Sequence, residues 1–160
     1  MSTNILAGHP VSTICELKRH PLTDRPLSIT AMTNVNADRS RIYHALTVAE
    51  YIEAWFSVPG AIAGHTRAFA HENSLSIRYC TQHQQFAILC SYHVCRRSKL
   101  MFSWQHSALD EATPSFVKIR LIGNFGRTTV HVTHAGLTLS NQKWHENLWT
   151  LSLVHLSKLF

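Results

Sequence analysis

Asn141 to Phe160 reads NQKWHENLWTLSLVHLSKLF, twenty residues without glycine or proline. Trp144, Leu148, Leu151, His155 and Leu159 fall on one stripe at helical spacing, and Trp149, Leu153, Leu156 and Phe160 widen it. Such a pattern predicts a long helix with a broad apolar face. At 1.5 Å per residue it would run about 30 Å, the diameter of a small domain, so its apolar face needs one large partner surface.

The residues before it supply that surface. Leu75, Ile77 and Tyr79 alternate with polar neighbours; Phe86, Ile88, Cys90, Tyr92 and Val94 share one face, as do Leu100, Phe102, Trp104 and His106. Val117, Ile119 and Leu121 alternate in the same way, followed by Val130, Val132 and His134. Polar or turn-forming breaks at 82–84, 96–98, Pro114 and 123–126 separate these runs, which predicts an antiparallel meander with one face toward water. A short strand over Arg67 to His71 is more weakly signalled.

Upstream, Leu27 to Val35 alternates as a half-buried strand. Asp38 then reads as the N-cap of a helix carrying Ile42, Tyr43, Ala45 and Leu46. Thr47-Val48-Ala49-Glu50 reads as a capping box opening a second short helix through Trp55 and Phe56, stopped by Pro59-Gly60. Residues 1 to 25, broken by Pro10 and Pro21, show no amphipathic period and read as an irregular arm before a domain over 26 to 160. The expected class is α+β: a helix-grip fold, a curved antiparallel sheet around a long C-terminal helix, with two short helices after the first strand.

The chain has 160 residues, 45% apolar and 15% charged, enough for one domain that needs neither metal nor disulfide to fold. A formal charge of +6 raises nucleic acid as a partner, yet the one tight basic cluster, Arg96, Arg97 and Lys99, sits at an expected hairpin turn. No nucleic-acid partner is expected. Neither a secretory signal nor an apolar run of transmembrane length is seen, so the expectation is a cytoplasmic protein with reduced thiols and no membrane insertion.

The element order resembles that of the START-like, or SRPBCC, superfamily, which includes the birch-pollen allergen. Within it, the motifs are similar to the branch named after the activator of heat-shock protein 90 ATPase. Ala37 to Thr47, ADRSRIYHALT, stands for that branch's A-x-x-x-x-V-W-x-A-L-T helix, and EYIEAWF at Glu50 to Phe56 for its helix ending in Trp. Leu100, Phe102 and Trp104 match an L-x-F-x-W strand. Thr128, Val130, Val132, His134, Gly136 and Leu137 match T-x-V-x-V-x-H-x-G-L, and Trp144, Leu148 and Leu151 match W-x-x-x-L-x-x-L. The resemblance implies an apolar ligand, aromatic or lipid-like, held between sheet and helix, and a place in the stress response. It leaves two alternatives: a cyclase- or dehydratase-type enzyme, and a chaperone-associated interaction module.

A strongly bent sheet is not filled by one straight helix, so a cavity is expected between them. Its expected lining is Phe86, Ile88, Tyr92, Phe102, Trp104, His106, Val117, Ile119, Val130, Val132, His134, Trp144 and Leu148, with Tyr92, His106 and His134 as polar groups that orient a ligand or carry acid–base chemistry. The alternative is that these side chains fill a dry core. No metal or cofactor is expected. His131 and His134 fall on opposite strand faces, as do Cys90 and Cys95 if their strand is continuous, and no helical HxxxH pair occurs. Gly123 to Gly126, GNFG, lacks the lysine of a phosphate loop and reads as a hairpin turn. No GxSxG nucleophile motif is present. Besides the ligand, a weak homodimer or a chaperone contact stays open as a partner.

Overall fold

Alternating apolar residues and two short amphipathic helices give a simple element order in the computed structural model, which describes residues 27–109 and 113–160. The arm expected over residues 1 to 25 lies outside the described residues. Strand β1 (Leu27–Val35) leads into helices α1 (Arg39–Thr47) and α2 (Ala49–Trp55). Then come β2 (Arg67–His71), β3 (Ser74–Cys80), β4 (Gln85–Arg96), β5 (Lys99–His106), β6 (Ser115–Asn124), β7 (Arg127–Leu137) and finally α3 (Leu139–Ser157). The strands form one curved antiparallel sheet in the order β1-β7-β6-β5-β4-β3-β2. This is the helix-grip architecture the sequence predicts, with the meander from β2 to β7 and β1 returning to pair with β7.

Period-two alternation decides which face is buried. Leu100, Phe102, Trp104 and His106 of β5 point inward with Val117, Ile119 and Leu121 of β6 and Val130, Val132 and His134 of β7. Register lines them up across the sheet: Phe102 opposite Val117, Val117 opposite His134, Ile119 opposite Val132. Helix α3 covers this face, packing on β1 and β7 and against α2.

Two bulges shape the sheet. In β7, Leu137 pairs with Leu27 and Ala135 with Ser28, leaving Gly136 as the extra residue at φ +82°. The glycine of the H-x-G-L motif is therefore a backbone requirement: side chains resist the left-handed region. Gly136→Ala should cost about 1–2 kcal/mol in chemical denaturation. Space is not the issue, since an added Cβ would meet Ser115 Cα at 3.4 Å; an unchanged midpoint would show that the strand relaxes out of the bulge. In β4 the register shifts between Tyr92 and Val94. The sequence reading placed Val94 inward with Tyr92 and put Cys90 and Cys95 on opposite faces. The bulge at His93 reverses both: Val94 pairs with the outward Met101, and Cys95 pairs with the inward Leu100. Cys95 is exposed and its Sγ lies 2.9 Å from Tyr43 Oη, tying α1 to the end of β4.

The turn between β6 and β7 is a two-residue turn through Phe125 and Gly126, both at positive φ, the backbone twist that suits a tight hairpin. It is held to α1 by Asp38. That residue occupies the N-cap of α1 as expected, but its carboxylate makes no cap bond; Asp38 Oδ1 accepts the Gly126 N–H at 2.8 Å instead. The expected capping box at Thr47 does not form either. Thr47 closes α1, its hydroxyl donating to the Tyr43 carbonyl at 2.8 Å, and Val48 caps α2.

Helix α3 begins at Leu139, two residues earlier than predicted, where Asn141 Oδ1 accepts the Thr138 N–H. Its buried face also differs from the predicted stripe. Asn141, His145, Leu148, Trp149, Ser152, Leu153 and Leu156 are buried, while Leu151 and Leu159 are 37% and 39% exposed. The stripe was read from apolar residues alone; the true face includes three polar residues that find partners inside. Ser152 Oγ donates to the Ser57 carbonyl and accepts the Ser57 N–H, locking α3 to the loop after α2.

Candidate ligand-binding site

The inward faces of β3 to β7 and the buried side of α3 bring aromatic rings and histidines together in two groups. The first lies among α2, the sheet and α3. Phe56, just past the end of α2, packs against Trp55, Trp104 and Trp149, with ring centroids 5.7, 6.1 and 6.3 Å away. A void of about 20 Å³ remains there, bordered by Phe56, Tyr92, Phe102, Trp104, Ile119 and Trp149 among others. That is room for about one water molecule. Outside it runs a groove of about 590 Å³ between α2, the 57–67 loop and α3, lined by Phe56, Val58, Ile62, Leu151 and His155. Phe56, 4% exposed, is the residue common to both.

The second group is a chain of buried rings. His106 stacks edge-on against Trp144 at 5.0 Å, Trp144 against His145 at 4.9 Å, and His145 against His134 at 4.5 Å. Their hydrogen bonds fix their tautomers. His106 Nδ1 accepts the Ala108 N–H at 3.0 Å, so the ring proton sits on Nε2, which donates to Tyr79 Oη at 2.6 Å. His134 Nδ1 accepts the Trp149 indole N–H at 3.1 Å, so its Nε2–H donates to Ser115 Oγ at 2.8 Å. Ser115 in turn donates to the Trp104 carbonyl at 3.4 Å. His145 Nδ1–H donates to the Asn141 carbonyl one turn back, at 2.9 Å.

Burial acts on all of these groups in the same direction, against charge. Desolvation, reinforced by the His145 charge, pulls His106 down to about 4 and holds His134 far below the usual imidazole range. Desolvation also lowers His145, partly offset by its bond to the Asn141 carbonyl. The Tyr79 phenol is pushed up to about 12 by the same cause. At neutral pH the interior is uncharged.

The expected lining residues take different places in this arrangement. Tyr92, Phe102, Trp104 and Ile119 border the void. Phe86, His106 and Trp144 cluster at one end of the ring chain. Ile88, Val117, Val130, Val132 and Leu148 are fully buried in the surrounding core, with His134 among them. The three polar groups Tyr92, His106 and His134 do not meet. Tyr92 faces Phe102, four residues and about 13 Å along β5 from His106, and His134 is enclosed by Ser115, Trp104 and Trp149. Phe56 was missed as a site residue, since it read only as the end of the second short helix, and three further participants were missed as well. Tyr79 and Trp149 read as plain apolar positions, and His145 fell on the polar side of the predicted stripe. A signal for His145 existed in its i, i+4 spacing to Trp149, the buried side of the helix.

Both nitrogens of His106 and of His134 are engaged within the protein, so of the three histidines only His145 Nε2 has an open lone pair. One ligand atom does not make a metal centre, and no group of three His, Cys, Asp or Glu among the described residues is arranged to hold one. Cys80, Cys90 and Cys95 are free thiols. Among the described residues no helix is long and apolar enough to cross a membrane.

Solved structures carry the same fold. Protein CV1439 from Chromobacterium violaceum superposes with a TM-score of 0.70 at 15% identity, covering 83% of this chain and 96% of that one. Protein Ms6760 from Mycobacterium smegmatis gives 0.67 at 10% identity, covering 84% and 90%. DynU16, from the dynemicin biosynthetic locus, gives 0.60 at 21% identity, covering 82% of this chain and 46% of that one. No curated protein matches by sequence. The family described as activator of Hsp90 ATPase homolog 1-like protein matches residues 36–160, from the turn before α1 to the last residue of the chain. With that match spanning most of the sequence, and with the helix-grip sheet and α3 in place, the chain belongs to the family of activator of Hsp90 ATPase homolog 1-like proteins.

Proposed function

We propose that the protein binds a small apolar ligand, aromatic or lipid-like, in the interior between the sheet, α2 and α3. The observation that carries this reading is the position of Phe56, which borders both an open groove of about 590 Å³ and an aromatic-lined void of about 20 Å³. The void by itself holds no ligand, so binding requires Phe56 to swing aside and merge the two spaces, which gives the few hundred Å³ typical of small-molecule sites. Phe56 lies outside the helix, with extended backbone, so its ring can move without unwinding α2.

The reading favours carriage over catalysis by His106. A general base needs a lone pair facing the substrate, and both nitrogens of His106 already serve Ala108 and Tyr79. A ligand should quench tryptophan fluorescence, since Trp55, Trp104 and Trp149 border the void, and should raise the melting temperature with the logarithm of its concentration once that exceeds Kd. Phe56→Leu keeps an apolar plug but removes the flat ring. We expect it to accelerate ligand entry by about tenfold in stopped-flow quenching, equivalent to a barrier lowered by ~1.4 kcal/mol. Equal entry rates in wild type and variant would place the route elsewhere. The absence of quenching and stabilisation across flavonoids, fatty acids and polyketide-like phenols would move the interaction-module reading to first place.

A further inference from the structure

None of the seven strands contains Asp or Glu; apart from histidines, every ionisable charge in the sheet is Lys or Arg. Several of these cations gather toward one end. Arg96 pairs with Lys99 and Lys99 with Arg120, three cations directly opposite one another on the outer face of β4, β5 and β6. Like charges so placed repel, and the ladder calls for an anion from outside. Nearer the end, Arg97 in the β4–β5 turn and Arg39 at the start of α1 line an open pocket of about 420 Å³ together with Phe125, and Arg127 follows the β6–β7 turn. The one carboxylate lining that pocket, Asp38, accepts the Gly126 N–H, and the one ion pair among the described residues is Lys143–Glu146. At the tip stands Phe125. Its ring is fully exposed and adds no burial to the fold. Its backbone, at φ +53°, lies in the left-handed region, which suits Gly, Asn or Asp and strains a bulky residue. Strain and an unburied apolar ring at one position point to a partner outside the fold.

We propose that this end of the sheet docks on an anionic bilayer surface, with the Phe125 ring entering the interface and Arg39, Arg97 and Arg127 meeting the lipid phosphates and acidic headgroups. The order of the groups matches that of a bilayer, whose charge lies outside its apolar layer. The apolar ring comes first, the three arginines stand behind it, and Arg120 follows about 13 Å back along β6, where it adds long-range attraction. A two-residue turn held to α1 through Asp38 presents the ring without further ordering. This is a surface contact and needs no spanning segment. A single-stranded nucleic acid is held instead by rings set along a basic groove, and a lone ring at a hairpin tip offers no such track.

The test is cosedimentation of the full chain with sucrose-loaded vesicles of phosphatidylcholine, alone or with about 30 mol% phosphatidylserine, in about 0.1 M salt. We expect binding to the phosphatidylserine vesicles to be at least about tenfold tighter, and to weaken as salt rises. Phe125→Asn should lower that affinity about tenfold by removing the inserted ring. Its urea midpoint should hold or rise, because Asn suits the left-handed turn, so loss of binding is separated from loss of fold. Arg39→Gln combined with Arg97→Gln should lower the affinity about thirtyfold, the effect of two cations at a charged surface. Equal binding to both vesicle types, binding to neither, or a Phe125→Asn chain that binds like wild type overturns the proposal. So does a clear fall in the Phe125→Asn midpoint, which would assign the ring to the fold. Tight binding of a labelled single-stranded oligonucleotide, unchanged by Phe125→Asn and with the vesicles left unbound, would give the cations to nucleic acid instead.

Discussion

Acidification from pH 7 to pH 5 should lower the protein's stability by about 4 kcal/mol, before ordinary carboxylates titrate. His106, His134 and His145 are buried and neutral, with folded-state values depressed by desolvation. In the unfolded chain each returns to about 6.5. Above that value neither state binds the proton and the histidines contribute nothing to pH dependence. Below it the unfolded chain takes protons that the folded one refuses, so stability falls as pH falls, and for His106 the loss continues until about 4. Between pH 7 and 5 His106 and His134 can each remove up to about 2 kcal/mol, and His145 adds to the loss in the same direction, against a total stability of about 5–15 kcal/mol for a domain. The check is urea denaturation at half-unit pH steps. The slope of stability against pH should approach the uptake of about two protons near pH 5 from His106 and His134, with His145 steepening it. A slope below that of one proton would mean that the rings are hydrated or already charged in the folded state.

Leu148→Ala should cost about 2–5 kcal/mol, whereas Leu151→Ala, three residues on, should cost less than about 1 kcal/mol. Leu148 is fully buried on the side of α3 that meets the sheet, and deleting its branched end leaves a hole that packed neighbours cannot close. Leu151 is 37% exposed, at the edge of the outer groove. The pair tests the orientation of α3 directly, because the stripe read from the sequence would make both changes costly. Similar large losses at both positions would restore that stripe and rotate the helix away from the face described here.

The comparison of these two leucines shows why some of the molecule was legible in the sequence and some was not. Strands β3 to β7 announce themselves by alternation, since a one-residue slip would turn inward charged side chains such as Lys118 and Arg120, which face outward between the buried Val117 and Ile119. The two short helices and the length of α3 were readable from spacing and from the absence of Gly and Pro. The facing of α3 was readable only in part: Leu148, Trp149, Leu153 and Leu156 of the apolar stripe are buried, whereas Asn141, His145 and Ser152 on the same side were missed because their partners are backbone groups. Hydropathy assigns such residues to water. The bulge at His93 was equally invisible: an extra residue in a strand leaves no compositional trace, yet it moves Val94 outward and Cys95 inward. At the candidate site, the aromatic residues were found by alternation. The tautomers, the open lone pair of His145 and the position of Phe56 depend on tertiary neighbours that no spacing rule reaches.

The return of β1 to β7 has a consequence in time. Every other strand pair joins neighbours in the chain, so the sheet from β2 to β7 can zip hairpin by hairpin as it is synthesised. Strand β1 cannot join it. Its partner register, Leu27 with Leu137 through Val35 with Thr128, closes a loop of about a hundred residues, and the helix that buries its inner face follows later still. On the ribosome the chain therefore carries an unpaired, half-apolar strand at its leading side until nearly all of the domain has emerged. That interval exposes Ile29 and Val35 to association with other chains, and it makes closure of β1 onto β7, with docking of α3, the natural rate-limiting step of folding.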